Sequence, residues 1–271
     1  MQQIKQFKTI SLAGYFFLYK KFERYEDIFI LNSKYPMDIS RKKATDLIIK
    51  KVTDGIKIGE QEFRDLIFLS LKSDMESNKK LVQIYSEDAN PFMMRYIFSI
   101  KVKLSDYDSL GYLISEVSGV EPGIKLAYLI KTDSPNVDIE FNELSKISDL
   151  SPEQKAEILY LYAIYLQKNK KYKKSIRFFI SSSSYMKSIE GFASSGIVEA
   201  AKTLIMSGRS SESCGLIEGK NIYVQNESDE ILSIYCSNES KQKLIQLKFA
   251  IQLLSEKDNG KLFQKILKGI K

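Results

Sequence analysis

The clearest pattern in this sequence is a helical hairpin at residues 159–179, which read LYLYAIYLQKNKKYKKSIRFF. Apolar residues recur every three or four positions on both sides of a short Lys/Asn turn that carries Tyr172, and this is the period of two amphipathic helices. A helix pair of this size leaves most of its apolar stripe exposed unless another pair stacks on it. The segment therefore predicts neighbouring hairpins of the same kind.

The composition favours helices along the whole chain. The 271 residues are 44% hydrophobic and 28% charged, which is ordinary for a folded protein. Leu, Ile, Lys and Glu are plentiful, whereas there are only 13 glycines and 5 prolines, and this balance disfavours a turn-rich β fold. We predict an all-α fold, in which the one candidate strand is NIYVQ at residues 221–225.

Missing side chains exclude several kinds of active site. The sequence has no His, which excludes catalysis by a histidine base and Ser–His or Cys–His nucleophiles. Two cysteines, Cys214 and Cys236, are too few for a four-ligand zinc site, and we interpret both as buried free thiols. We predict no enzyme activity, no cofactor and no metal site. A carboxylate or lysine enzyme and an all-oxygen Mg²⁺ or Ca²⁺ site are the alternatives.

The hairpin pattern recurs along the chain, with an aromatic residue assigned to each turn. These aromatic residues are Tyr25, Phe63, Tyr107, Phe141 and Tyr172. They are 38, 44, 34 and 31 residues apart, and a repeat of about 34 residues with insertions is typical of stacked helix–turn–helix units. A last and weaker copy is centred on Ser210.

This pattern resembles the tetratricopeptide repeat, most clearly over residues 159–180. In that family a small residue of the first helix packs against a small residue of the second. The resemblance implies these roles for Ala163 and Ser175, with Tyr172 as the turn aromatic and Phe179 as the large apolar residue. It therefore implies an irregular α-solenoid of stacked helical hairpins.

The other units depart from the family pattern, since Phe16 and Phe98 stand where a small residue is expected. The resemblance covers residues 10–180 and favours a hairpin solenoid more than it favours that one family. We predict three parts along the chain: a solenoid at 1–206, a polar seam at 207–230 and a C-terminal helical cap at 231–271.

Local signals place several helix ends. Ser151-Pro-Glu-Gln154 has the composition of a capping box with proline in the first turn of a helix. Gly208 is a stop signal. The four serines at 181–184 follow an apolar helix, and we interpret them as its frayed end or as an interhelical turn.

Lysines cluster at two places, and the formal net charge is +7. Residues 167–177 hold six cations and no acid, while residues 241–271 hold eight lysines against two acids. Such clusters attract phosphates, anionic lipids or acidic protein faces. Sequence-specific nucleic-acid readers depend on bidentate Arg contacts, whereas these clusters are nearly all Lys. Binding of RNA or DNA through the lysines is therefore the alternative to binding an acidic protein.

Both ends of the chain carry apolar or amphipathic segments. The apolar run at 10–19 is too short for a bilayer, which needs about 20 residues, and lysines follow it in place of a signal-peptide cleavage site. The tail at 260–271 has an apolar face opposite lysines, as a capping helix or an interfacial membrane helix has. We predict a cytoplasmic chain, with attachment to a membrane surface through either end as the alternative.

These features together predict a non-enzymatic interaction scaffold. Tetratricopeptide-like proteins bind a peptide or helix of another protein as adaptors, chaperones or assembly factors, and the resemblance implies such a role here, including one in bacterial secretion or surface-organelle assembly. The predicted partner-binding residues are Tyr165, Lys168, Tyr172 and Arg177. They combine aromatic contacts with cations that attract an acidic partner.

Overall fold

The structure, a computed structural model, describes Ile30 and residues 39–56, 58–87, 91–185, 192–218 and 227–236. Within these residues the chain is 80% helical and has no strand, so the predicted all-α class is confirmed; the solenoid arrangement stays a prediction. None of the described helices combines the length and the apolar character needed to cross a membrane.

Several predicted features lie outside the described residues. They are the hairpin around Tyr25, the apolar run at 10–19, the candidate strand at 221–225 and the basic tail at 241–271.

The chain divides into two compact units, Met1–Val137 and Asp138–Lys271.

The first unit is a packed group of helices. They are α1 (Ile39–Ile56), α2 (Glu60–Ser70), α3 (Met75–Glu87), α4 (Pro91–Lys103), α5 (Tyr107–Glu116) and α6 (Pro122–Lys131). Helix α2 packs against α1, α3 and α4, and α5 packs against α3, α4 and α6. Their shared core is built on fully buried residues such as Phe63, Leu66, Leu81, Met94 and Leu110.

The second unit contains the hairpin that is clearest in the sequence. Its helices are α7 (Val137–Leu144, which begins at the boundary), α8 (Pro152–Lys168), α9 (Tyr172–Tyr185), α10 (Phe192–Met206), α11 (Ser210–Ile217) and α12 (Glu227–Cys236). Each helix from α8 to α11 packs against the next one along the chain. Helix α8 starts at the predicted capping box, in which Ser151 and Gln154 bond to each other's backbone amides at 3.2 and 3.0 Å.

Four described helices end in the same left-handed turn. The residue with positive φ is Ser105 after α4, Asp133 after α6, Lys170 after α8 and Gly208 after α10. In each case the next amide donates to the carbonyl five residues earlier, at 2.8–2.9 Å, which is the Schellman cap. Because this cap satisfies the last carbonyls and turns the chain within three residues, α4–α5, α8–α9 and α10–α11 form tight hairpins. Only Gly208 was recognisable from the sequence.

Small residues set the register between α8 and α9. The hydroxyl of Ser175 donates to the carbonyl of Ala163 at 2.8 Å, and that of Ser182 donates to the carbonyl of Ala156 at 2.7 Å. All four residues are buried, and the seven-residue step on each helix keeps both pairs on the same antiparallel seam. The contact between Ala163 and Ser175, which the resemblance implied, is present.

The serine run at 181–184 is part of this packing, so its interpretation as a frayed end or a turn was wrong. Ser182 and Ser183 are buried inside α9. Ser183 faces α10 at Gly196, where an added Cβ atom would lie 2.2 Å from the Ser183 oxygen and 2.7 Å from the Phe179 carbonyl oxygen. Small side chains are required at these positions because α9 packs closely against α8 on one side and against α10 on the other.

The aromatic residues of the predicted repeat fall into two groups. Tyr107 and Tyr172 are the first residues of α5 and α9, directly after tight turns, as predicted. Phe63 and Phe141 instead lie inside α2 and α7 and are buried, so their assignment to turns was wrong. A buried aromatic residue fills the core at many helix positions, and its type alone does not reveal a turn.

Along the chain, the first compact unit ends at Val137 and the second begins at Asp138, and the polar seam predicted at 207–230 lies within the second unit. Part of that seam forms α11, which packs against α10. Ser213 and Ile217 are buried on one side of α11, and most of its other residues are exposed or half-buried. The described part of this polar stretch is therefore a helix at the surface of the second unit, and the division of the chain at 207–230 stays a prediction.

Cys214 and Cys236 form a disulfide bond between α11 and α12, with their Cα atoms 5.0 Å apart. The interpretation of both residues as buried free thiols was therefore wrong, and both are half-buried. That interpretation was based on the number of cysteines, whereas a disulfide forms only where the Cα atoms of the two cysteines lie close enough together. Only the packing of α12 against α11 supplies that distance.

Lys101 is a fully buried lysine that joins two helix ends in the first unit. Its ammonium donates to the carbonyl oxygen of Lys72, just beyond α2, and lies 2.9 Å from a carboxylate oxygen of Asp106. Asp106 also caps α5 by accepting the amide of Ser109. Burial would raise the pKa of Asp106, but the hydrogen bonds it accepts and the charge of Lys101 outweigh burial, so this pKa lies below its usual range.

We expect Gly196→Ala to lower the free energy of unfolding by about 1–3 kcal/mol, because the new methyl group overpacks the α9–α10 contact. Gly215→Ala is the matched control, since a Cβ atom there meets nothing within 4 Å and alanine favours a helix by about 0.5–1 kcal/mol. Urea unfolding of the two variants should therefore shift in opposite directions. A Gly196→Ala protein as stable as the parent would contradict the close approach of α9 and α10.

We expect Asp106→Asn to destabilise the protein by about 1–3 kcal/mol near neutral pH, because it removes the charged partner of buried Lys101. A carboxylate whose pKa is lower in the folded state than in the unfolded state stabilises the fold at pH values above the unfolded pKa, which is about 3.9 for Asp. This stabilisation is lost as the pH falls through the folded pKa. The difference in unfolding free energy between parent and variant should therefore shrink below about pH 4.

Asp54→Asn makes the same chemical change at an exposed position of α1 and serves as the control for the Asp106 variant. Its unfolding free energy should stay within about 0.5 kcal/mol of the parent, as is usual for surface substitutions. Equal effects of the two variants at neutral pH would show that Asp106 is not a specific partner of Lys101.

Candidate functional site

The turn between α8 and α9 holds its backbone in one conformation. Lys170 adopts φ 59°, and the amide of Lys171 donates to the carbonyl of Leu166 at 2.8 Å. The side chain of Asn169 donates to the carbonyl of Tyr165 at 2.9 Å. Since the two helices are also locked together at their small residues, side chains on this turn project from a rigid base.

Exposed cations surround this turn. We define the cationic cluster as Lys170, Lys171, Lys173, Lys174 and Arg177, all of which are exposed. Within the part of the chain that the structure describes, no carboxylate forms an ion pair with any of these five. Five unneutralised positive charges within eight residues create a local potential that attracts anionic groups and is weakened by salt.

The structure places the four predicted partner-binding residues around the hairpin. Lys168 ends α8 and is exposed, Tyr172 begins α9 and is half-buried, and Arg177 is exposed on α9. Tyr165 is half-buried on α8, where its ring stacks on that of Tyr162 with centroids 5.8 Å apart. Their binding role stays a prediction.

Helix geometry does not bring all four residues onto one face. Ala163 and Ser175 face each other across the α8–α9 seam. Tyr165 follows Ala163 by two positions and Arg177 follows Ser175 by two, which on an α-helix is a rotation of about 200°. Tyr165 and Arg177 therefore point away from each other, on opposite sides of the hairpin. Lys168 and Tyr172 lie at its turn, next to most of the cationic cluster.

Tyr165 borders an aromatic cluster that the sequence reasoning missed. The rings of Phe141 on α7 and Tyr162 on α8 stack with centroids 3.7 Å apart, and Phe178 on α9 meets both edge-on. The hydroxyl of Tyr162 donates to Asp138 at 2.6 Å. Burial and this hydrogen bond raise the pKa of Tyr162 far above its usual value. The cluster fixes α7 against the α8–α9 hairpin, which is a packing role.

A second missed feature is a buried ionic group in the same unit. The ammonium of Lys202 on α10 lies 2.8 Å from a carboxylate oxygen of Glu199 and 2.5 Å from one of Asp229 on α12. Burial would lower the pKa of Lys202, but the two carboxylates outweigh it and raise this pKa. Burial, with the charges of Glu199 and Asp229, raises the pKa of Tyr160 on α8. Glu199 and Lys202 are three residues apart on one helix, a spacing at which side chains pair, but no spacing in the sequence signals their meeting with Asp229 and Tyr160, which come from two other helices.

A groove lies between α2 and α3 in the first unit, with a volume of about 500 Å³. Phe68 lines it and is 60% exposed, and the ammonium of Lys72 lies 4.2 Å from the centre of the Phe68 ring. Lys80 at its wall forms an ion pair of 2.8 Å with Glu76. Because Lys80 and Glu76 neutralise each other at the groove, it attracts a charged partner less strongly than the cationic cluster does.

No arrangement for metal binding stands out among the described residues, where no group of three or more Cys, Asp or Glu side chains could hold an ion. The chemistry available at the α8–α9 turn is therefore recognition of anions by ammonium and guanidinium groups beside a half-buried tyrosine ring.

Comparisons with known proteins add no relative. No protein-family model matches the chain, and no curated protein or solved structure is significantly similar to it.

Proposed function

We propose that this chain is a non-enzymatic interaction scaffold that binds an acidic segment of another protein at the cationic cluster of the α8–α9 turn. The observation that carries the proposal is the exposure of five cations, none of which has a carboxylate partner within the described residues. Unpaired surface charges of one sign steer an oppositely charged partner and raise its association rate. An acidic segment supplies the missing partners.

The rigid base of the turn supports this role. The α8–α9 seam and the cap at Lys170 fix the backbone before a partner arrives, so the main chain loses little freedom on binding. Tyr172 is half-buried beside the lysines and offers an aromatic contact of the kind enriched at interfaces. Lys168 extends the basic surface at the end of α8.

The broader class follows from the resemblance to tetratricopeptide repeats, whose members act as adaptors, chaperones or assembly factors. The tight hairpins α4–α5, α8–α9 and α10–α11 support that class. We retain the cytoplasmic placement proposed from the sequence. Binding of RNA or DNA through the same lysines is the competing function, and the following experiment separates the two.

We expect a fluorescein-labelled oligoglutamate peptide to bind the full chain with an affinity that falls as salt is added. Reversing four charges of the cluster should weaken this binding at least about tenfold, because close charge pairs are lost and new repulsion is added. The variant is Lys170→Glu, Lys171→Glu, Lys173→Glu and Lys174→Glu. Fluorescence anisotropy measures both affinities, and circular dichroism checks that the variant is folded.

The matched control makes the same charge change on exposed lysines of α1. It is Lys42→Glu, Lys43→Glu, Lys50→Glu and Lys51→Glu. Its affinity for the peptide should stay within about threefold of the parent, since all five cations of the proposed site are kept and exposed charges outside it are screened by salt. Equal losses in both variants would mean that only net charge matters. Tighter binding of a single-stranded oligonucleotide of equal charge would favour the nucleic-acid function instead.

A further inference from the structure

Among the described residues, three kinds of contact hold helix α12 to the second unit. Its last residue, Cys236, is bonded to Cys214 of α11. Asp229, near its start, forms an ion pair with Lys202 of α10, and Leu232 is 1% exposed. The helix spans Glu227–Cys236, and these contacts act near its start, at its middle and at its end.

The ionic contact leaves Lys202 with a partner even when α12 moves away. Glu199 lies on the same helix as Lys202, with its carboxylate oxygen 2.8 Å from the ammonium. Removing one partner of a buried ion pair is costly because it strands the other charge. Since Glu199 keeps Lys202 paired, departure of Asp229 does not leave the ammonium without a carboxylate partner. Helix α10 therefore keeps a neutralised Lys202 whether or not α12 is in place.

The buried pair also adds little net attraction. The cost of taking two charges out of water offsets most of their Coulombic gain, and the side chains of Lys202 and Asp229 are only 6% and 5% exposed. The covalent bond between Cys214 and Cys236 is therefore the strongest single constraint on α12.

The disulfide does not lie in the enclosed core of the unit. Cys214 and Cys236 are both half-buried rather than enclosed in the core, and access to a sulfur is one condition for thiol–disulfide exchange. Disulfides of proteins in reducing compartments are usually transient and redox-sensing. The proposed cytoplasmic placement therefore favours a regulatory bond over a permanent one.

We propose that α12 is a redox-controlled latch, which the Cys214–Cys236 disulfide closes over Lys202 and which a dithiol reductant opens. A thiolate of the reductant attacks one cysteine sulfur, so that a mixed disulfide forms and the other cysteine leaves as a thiolate and takes up a proton. The second thiol of the reductant then displaces the first cysteine. The protein gains two thiols and the reductant becomes a disulfide.

Opening changes the surface of the second unit. It uncovers the side of α10 that carries Lys202 and Glu199, which α12 covers in the closed state. Tyr160 on α8 is buried, and burial together with the charges of Glu199 and Asp229 raises the pKa of this tyrosine. The α8–α9 seam contains neither cysteine and stays closed. Reduction therefore exposes a polar surface without unfolding the unit.

Hydrogen–deuterium exchange of the full chain, before and after treatment with dithiothreitol, tests the latch. Reduction should speed exchange at least about tenfold at residues 229–236, because α12 leaves its site. Peptides spanning Ala156–Ala163 and Ser175–Ser182 should change less than about twofold. Iodoacetamide should modify no cysteine before reduction and both cysteines after it.

Three results would overturn the proposal. Two modified cysteines in protein purified without reductant and protected from reducing agents would show that the bond does not form. Unchanged exchange in α12 after reduction would show a static link. Equal acceleration in α12 and in the α8–α9 seam would show that the bond holds the whole unit together, so that it is no latch.

Two variants separate the disulfide from the ion pair. Cys214→Ser with Cys236→Ser should exchange like the reduced protein and should not respond to dithiothreitol, which controls for direct effects of the reagent. Asp229→Asn keeps the size of the side chain and removes its charge. In the oxidised protein it should leave α12 closed to within about threefold in exchange rate. If it opened α12 as far as reduction does, the ion pair would be the latch and the proposal would fail.

Discussion

The close approach of α8 and α9 is the contact on which the second unit depends. Ser175 and Ser182 reach the carbonyls of Ala163 and Ala156 because no larger side chain separates the two helices. These bonds set both the register along the helix axes and the rotation of each helix. As a result, the other side of α9 meets α10 at Gly196, and the lysines of the turn point to solvent. A larger residue at any of these positions overpacks the contact and lowers the stability of the unit.

Buried lysines perform a related task in each unit. Lys101 ties the end of α2 to the start of α5, and Lys202 ties α10 to α12. An ammonium ion in the core is costly unless oxygen atoms surround it, so each lysine accepts few arrangements of its neighbours. The two differ in one respect: Lys202 has a second carboxylate on its own helix, at Glu199, whereas the partners of Lys101 described above, Lys72 and Asp106, lie outside its own helix. Loss of one neighbour is therefore tolerated better at Lys202 than at Lys101.

The two proposed functional features of the second unit respond to different conditions. The cationic cluster acts through exposed charges, whose attraction weakens as salt rises. The contact of α12 depends on a covalent bond and on buried charges, which salt screens much less and a thiol reductant breaks. A partner bound at the turn and a change at α12 thus use separate chemistry within one packed group of helices. The seam between α8 and α9 gives both features a fixed support.

The sequence by itself determined the helical class, the α8–α9 hairpin, the capping box at Ser151 and the absence of imidazole chemistry, because helix period, cap composition and residue content are local properties. The sequence also revealed the cluster of cationic residues, because the charge of a side chain follows from its residue type alone. Only the tertiary structure decided which residues meet: the role of the serines at 181–184, the burial of Phe63 and Phe141, the pairing of Cys214 with Cys236, and the ion pair of Lys202 with Asp229. Each of these depends on distances between segments far apart in the chain, and no local pattern encodes such distances.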